Sequence, residues 1–286
     1  MSFISLLHNT PSFFITFIII IGLMVGSFLN VLIYRLPKMM EQGWRQQCAE
    51  LRGESAEILP TFNIATPRSI CFHCGHKITI LENIPILSYL ALRGRCSRCH
   101  HPISLRYPIV EMLTSIMSGF TAWYFGYSLI TIAALIFVWA MIALTFIDLD
   151  TQLLPDDITL PLLWIGLLIN LNNGFTDIHS AVIGAMVGYL SLWSIYWCFK
   201  LATGKEGMGH GDFKLLAVTG GWLGWNMLPL VILFSSFVGA IVGVSLILTA
   251  KHDKDSLIPF GPYLAGGSLI ALFWGEELNN TYLGLF

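Results

Sequence analysis

The run FFITFIIIIGLMVGSFLNVLIY, Phe13–Tyr34, carries no charge over 22 residues. About 20 apolar residues in a helix span the hydrocarbon core of a bilayer, so this stretch predicts a helix solvated by lipid. No Lys or Arg precedes it and no A-x-A-like cleavage site follows it. It is also longer than the apolar part of a secretion signal, so it reads as a retained helix.

The rest of the chain extends the pattern. Of its 286 residues, 55% are hydrophobic and 11% charged, against about 25% charged in a soluble domain, and the mean hydropathy is +0.72. Further apolar runs lie near 107–126, 128–147, 158–172, 178–199, 214–226, 228–250 and 256–275. The reading is an all-α polytopic membrane protein of about eight transmembrane helices, although two of the runs are short for a full span.

The charges orient this thread. Ten of the fifteen Lys and Arg residues lie between Arg35 and Arg106, and the others are Lys200, Lys205, Lys214, Lys251 and Lys254. Eight spans from an outside N-terminus put all fifteen on one side, which the positive-inside rule makes cytoplasmic. The Asn172–Asn173 turn and the Glu276–Glu277 tail fall opposite. Seven spans would break this agreement. Membrane lipid is the expected surrounding, and no nucleic-acid partner is expected.

Three parts follow: a first transmembrane helix (1–34), a cytoplasmic loop domain between helices 1 and 2 (35–106), and a membrane domain (107–286). Within the loop, CFHC (Cys71, Cys74) and CSRC (Cys96, Cys99) form a C-x2-C-x21-C-x2-C array. Two such knuckles predict a closed tetrahedral zinc site, structural in role because four ligands leave no open position. A reducing compartment makes disulfides the weaker reading. His73, His76, His100 and His101 lie close enough in sequence to replace a cysteine, but paired knuckles are the stronger signal. Cys48 and Cys198 have no partner at ligand spacing.

Two groups of carboxylates interrupt the apolar runs. Asp148 ends one of them, Asp150 is two residues on, and Asp156–Asp157 follow Pro155. Asp156 or Asp157 suits the N-cap of the next helix, and Asp148 and Asp150 can simply mark where a helix leaves the membrane. Asp212 follows Gly207, Gly209 and Gly211. It is either another cap or a working group, because alternating glycines permit unwound backbone that another chain can approach closely, and an intramembrane acid is a functional candidate. Two acids brought within a few Å share a proton. The ionised member then activates water while the protonated one polarises a peptide carbonyl.

Several of these stretches, taken in order, resemble one family. They are GSFLNVLIYRLP (Gly26–Pro37), ENIPILSYLALRGRCSRCHHPISLRYPIVE (Glu82–Glu111), DLDTQLLPDDITLPLLWIGL (Asp148–Leu167) and GMGHGDFKLLAVTGGWLG (Gly207–Gly224). Together with the two knuckles they look like the type IV prepilin peptidases, the bacterial branch of the GxGD membrane aspartyl proteases. The resemblance covers nearly the whole chain. It implies that Asp148 and Asp212 are catalytic, and that the chain cleaves the short basic leader from prepilins and type II secretion pseudopilins at the cytoplasmic face of the bacterial inner membrane. It further implies methylation of the new N-terminal amine by S-adenosylmethionine, since the branch bearing the cysteine loop is bifunctional. No G-x-G-x-x-G nucleotide loop occurs, so the donor site is unassigned; the stretch around LRGRC (Leu92–Cys96) is a candidate by location alone. The rival readings are a membrane methyltransferase without peptidase activity and an ion-coupled transporter. The transporter predicts pseudo-symmetric halves, which the sequence does not display.

Overall fold

The computed structural model describes residues 3–53, 62–248 and 259–283. Lys251 and Lys254, counted above, lie outside the described residues, as do 54–61 of the loop and the start of the last apolar run. Among the described residues the chain is helical, with only two isolated β-bridges, Ile70 to Lys77 and Arg95 to Pro102. Four stretches are long and apolar enough to cross a membrane: Pro11–Leu51, Leu129–Thr151, Ile178–Thr203 and Trp225–Ser245. The chain forms two compact units, one ending at Trp139 and one beginning at Ala140.

The first unit holds α1 (Phe3–Asn9), α2 (Pro11–Leu51), α3 (Leu87–Ala91), α4 (Arg106–Phe125) and the beginning of α5 (Leu129–Thr151). α2 has 41 residues, about 60 Å of helix, roughly twice the hydrocarbon thickness. Hydropathy marks an end near Tyr34, but beyond Pro37 the next residues, mostly Met, Glu, Gln and Arg, are good helix formers and carry the helix on to Leu51.

α2 and α4 meet through small residues. A Cβ on Gly22 would lie 2.8 Å from Ser118 Cβ, and one on Gly26 would lie 2.7 Å from Glu111 Cα. Lipid offers no hydrophobic drive between helices, so close backbone approach and hydrogen bonds take its place. Ser115 accordingly donates to Ile19 O at 3.0 Å, and Trp139 Nε1 donates to Ser118 Oγ at 2.9 Å.

The second unit takes the end of α5 and adds α6 (Asp156–Asn170), α7 (Ile178–Thr203), α8 (His210–Leu223), α9 (Leu228–Leu248) and α10 (Gly261–Leu283). α8 has 14 residues, about 21 Å, and Leu215–Leu223 are all buried. It is a core helix packed against α6, α7 and α10. Its contact with α7 is backbone on backbone: a Cβ on Gly220 would lie 2.1 Å from Gly184 O. Fully buried Asn170 closes α6 by donating to Gly221 O and Trp222 O, both at 2.9 Å, while its Oδ1 accepts the amides of Phe175 and Thr176.

The expected N-cap of α6 is corrected. Pro155 holds that position, and Asp156 and Asp157 fill the first turn. There they still face the positive end of the helix dipole.

Candidate active site

Asp148 lies near the end of α5 and is 4% exposed. Its Oδ2 accepts the backbone N–H of Gly261 at 3.0 Å. Gly261 is the first residue of α10, so this N–H is one of the four that a helix start leaves without an internal partner. Asp212 is the third residue of α8, not its cap; Gly209 caps that helix without a side chain. Asp212 is 6% exposed, and Leu154 lies against both its neighbour Gly211 and the Gly261 that holds Asp148. The starts of α8 and α10 thus converge on two buried carboxylates, and helix starts favour negative charge.

Leu154 completes this corner. A Cβ on Gly211 would lie 2.7 Å from Leu154 Cβ, and one on Gly261 would lie 3.2 Å from Leu154 Cδ2 and 2.7 Å from Asp148 Oδ2. Of the alternating glycines, Gly207 and Gly209 lie in non-helical backbone, as expected, whereas Gly211 is already helical. Gly209 is extended at φ −77° and helix starts at His210; what Gly211 supplies is room for Leu154. Lys214 Nζ clamps the connector by pairing with both oxygens of Asp156, at 2.6 and 2.7 Å. Before Gly209, Lys200 pairs with Glu206 at 2.8 Å, and the Tyr196 ring packs on His210.

Of the candidate acids, the fold brings Asp148 and Asp212 together and leaves Asp150, Asp156 and Asp157 exposed. Gly261 and Leu154 were not among the residues singled out in the sequence. The available signal was the Gly261–Pro262 pair at the head of an apolar run, a helix-start pattern.

The four loop cysteines also come together. Their sulfurs all lie within 4.8 Å of one another, with Cys71 Sγ 3.8 Å from Cys99 Sγ. Tetrahedral bonds of about 2.3 Å give a sulfur–sulfur separation of this size. Each knuckle is wound alike. Cys71 N–H donates to His76 O and Cys96 N–H to His101 O, and the residue after each second cysteine, Gly75 or His100, has positive φ. His73 and His101 stack at 4.6 Å.

The amides of Cys74 and His73 hold the Cys71 thiol down to about 6. Against the His101 amide, burial and the neighbouring thiols push Cys99 up to about 12. Four thiolates this close repel one another, so a divalent cation suits the donor set. Glu82 ties the knuckles together by accepting from Ser97, Thr79 and His76. The Ser97 hydroxyl, with the Thr79 groups, holds its carboxyl down to about 2.

Membrane-length apolar helices with two buried aspartates where two helix starts converge define a class, a helical membrane protein with a candidate acid pair in its core. Residues 20–125 match the Bacterial Peptidase A24 N-terminal domain, and residues 135–244 match the Type IV leader peptidase family. A curated protein of Aeromonas hydrophila named prepilin leader peptidase/N-methyltransferase is 53% identical, over 99% of this chain and 98% of its own length. Proteins of the same name from Pseudomonas aeruginosa and Legionella pneumophila are 50% and 46% identical, over 99% and 98% of this chain and 98% of each relative. No solved structure matches. The chain belongs to the type IV leader peptidase family, as its motifs lead one to expect.

Proposed function

We propose that this chain cleaves the leader peptide of prepilins and pseudopilins at the cytoplasmic face of the bacterial inner membrane, then N-methylates the exposed N-terminal residue. Its relatives carry the name prepilin leader peptidase/N-methyltransferase along their whole length. The observation that carries the peptidase reading is the pair Asp148 and Asp212, both buried and on different helices.

In this reading the ionised carboxylate takes a proton from a water, whose oxygen bonds to the scissile carbonyl carbon. The protonated carboxylate donates to the carbonyl oxygen. Collapse of the tetrahedral intermediate breaks the C–N bond, and the departing nitrogen takes a proton. No covalent enzyme intermediate is needed. A basic leader stays on the cytoplasmic side while the apolar stem enters the bilayer, which puts the scissile bond at the interface.

Cys71, Cys74, Cys96 and Cys99 would hold a zinc ion, which supplies a structural clamp and no open coordination position. Residues 35–106 would form the methyl-transfer part and 107–286 the peptidase, with 1–34 supplying the first of eight spans. For methylation the amine nitrogen bonds to the methyl carbon of S-adenosylmethionine, the sulfonium–carbon bond breaks, and the amine loses a proton. Incubation of purified protein with a prepilin and labelled methyl donor, scored separately for cleavage and methylation, tests both halves. Cleavage without methyl transfer would remove the second.

A further inference from the structure

The segment between α2 and α4 exposes large apolar residues to a degree unusual for a surface in water. Leu87 and Leu90 of α3 are each 66% exposed, and Ile80 and Leu81 just before them 81% and 75%. α3 has two faces. Tyr89 turns inward, its hydroxyl donating to Ile103 O at 3.4 Å and packing where a Cβ on Gly94 would fall, while Leu87, Leu90 and Ala91 point out.

One hydrogen bond gives the depth of this segment. The N–H of Ile86 donates to Glu111 Oε2 at 2.7 Å, and Glu111, 8% exposed, sits against Gly26 of α2. Gly26 lies inside the uncharged run Phe13–Tyr34. Around it, Met24 and Phe28 of α2 and Met112 of α4 face outward at 65%, 52% and 51%. Ile86 is therefore level with side chains that belong in lipid. It also makes a sharp γ-turn, with φ 59° and Leu87 N–H donating to Pro85 O at 2.5 Å, a strained conformation for a β-branched residue. The turn delivers Leu87 and Leu90 beside that level, and the exposed Arg93, Arg95 and Arg98 follow directly.

We infer that Ile84–Ala91 is a membrane-inserted interfacial element, with Leu87 and Leu90 in the acyl region of the leaflet on the basic side and the arginines among the headgroup phosphates. Apolar anchors flanked by arginines match a bilayer surface in both hydropathy and charge. This does not depend on which reaction the chain catalyses. It places the cysteine knuckles, a few residues away on either side, at the lipid surface.

The test uses the full-length protein in lipid nanodiscs, with a genetically encoded fluorescent residue at position 87 or 90, which spares the thiols. Phospholipids brominated along the acyl chain should quench both positions as strongly as position 28, and at least threefold more than position 47 on the exposed part of α2. Iodide in the buffer should quench position 47 only. Iodide quenching at 87 and 90 would overturn the inference. So would shielding from both quenchers, which would mean that protein covers this face. The unmodified protein in discs containing an acyl-chain diazirine phospholipid gives an answer free of folding effects: photolabel should map to the peptide holding residues 84–91, and its restriction to α2 and the other long helices would equally overturn the inference.

Discussion

The backbone amide of Gly261 reaches Asp148 Oδ2 across 3.0 Å, joining residues 113 apart in the chain. A methyl group on Gly261 would stand 2.7 Å from that oxygen, so the carboxylate keeps its place only while residue 261 lacks a side chain. Gly261→Ala should lower the cleavage rate by about 10²-fold, the scale of an ångström-sized misplacement, with KM nearly unchanged. Gly266→Ala, on the same helix with nothing within 4 Å of its Cβ, should cleave normally. Steady-state kinetics of the two variants checks this, and equal activity would deny Gly261 a positioning role.

Asp148→Asn and Asp212→Asn should each reduce cleavage by about 10²-fold or more, while the protein stays folded and methylates a pilin supplied already cleaved. Asn preserves size and can still accept the Gly261 N–H, so a helix cap would survive the change. Asp150→Asn, on an exposed residue, should be mild. Asp156→Asn breaks a partly exposed ion pair with Lys214 and should lose less than about 1 kcal/mol of stability. Full cleavage by both dyad variants would end the aspartyl mechanism.

Metal analysis should find one zinc per chain, lost when Cys71, Cys74, Cys96 or Cys99 becomes Ser. Zinc binds thiolates, so uptake at pH 7 should release protons, Cys99 being the thiol pushed up to about 12. Affinity should weaken as pH falls from 7, and more steeply below about 6, where Cys71 also takes up a proton. Calorimetry in buffers of different ionisation enthalpy counts the protons; a pH-independent affinity would exclude thiolate ligation.

Gly220→Val should destabilise the second unit by about 1–3 kcal/mol or more, because the colliding atoms belong to the Gly184 backbone. Gly43→Ala, in α2 with no atom within 4 Å of the added Cβ, should raise stability by up to about 1 kcal/mol. Unfolding midpoints in detergent report both.

Hydropathy located the helices because lipid demands long uncharged runs, and the knuckles were readable because metal ligation demands close pairs of cysteines. Asp148 and Asp212 stood out as acids beside apolar stretches. What composition hides is partnership. Gly261 becomes significant only when α10 delivers its first amide to a residue far away in the chain, and Leu154 only when two glycines leave room for it. Glu111 sits near the head of an apolar run, where an acid passes for a boundary residue, and only packing reveals that it holds Ile86. The end of α2 was hidden for another reason: hydropathy stops at the membrane surface, whereas helix propensity does not.

Where Gly184 and Gly220 touch, main chain rests on main chain, and no rotamer stands between them to swing aside. That seam has no play. A polypeptide needing access to Asp212 cannot gain clearance by loosening α7 from α8 without parting two backbones. Leu154, by contrast, meets the positions of Gly211 and Gly261 through its side chain, on a short connector that ends at the Lys214–Asp156 ion pair. The second unit thus has one seam held main chain against main chain, at Gly184 and Gly220, and a corner beside Asp148 that is filled instead by a side chain, Leu154.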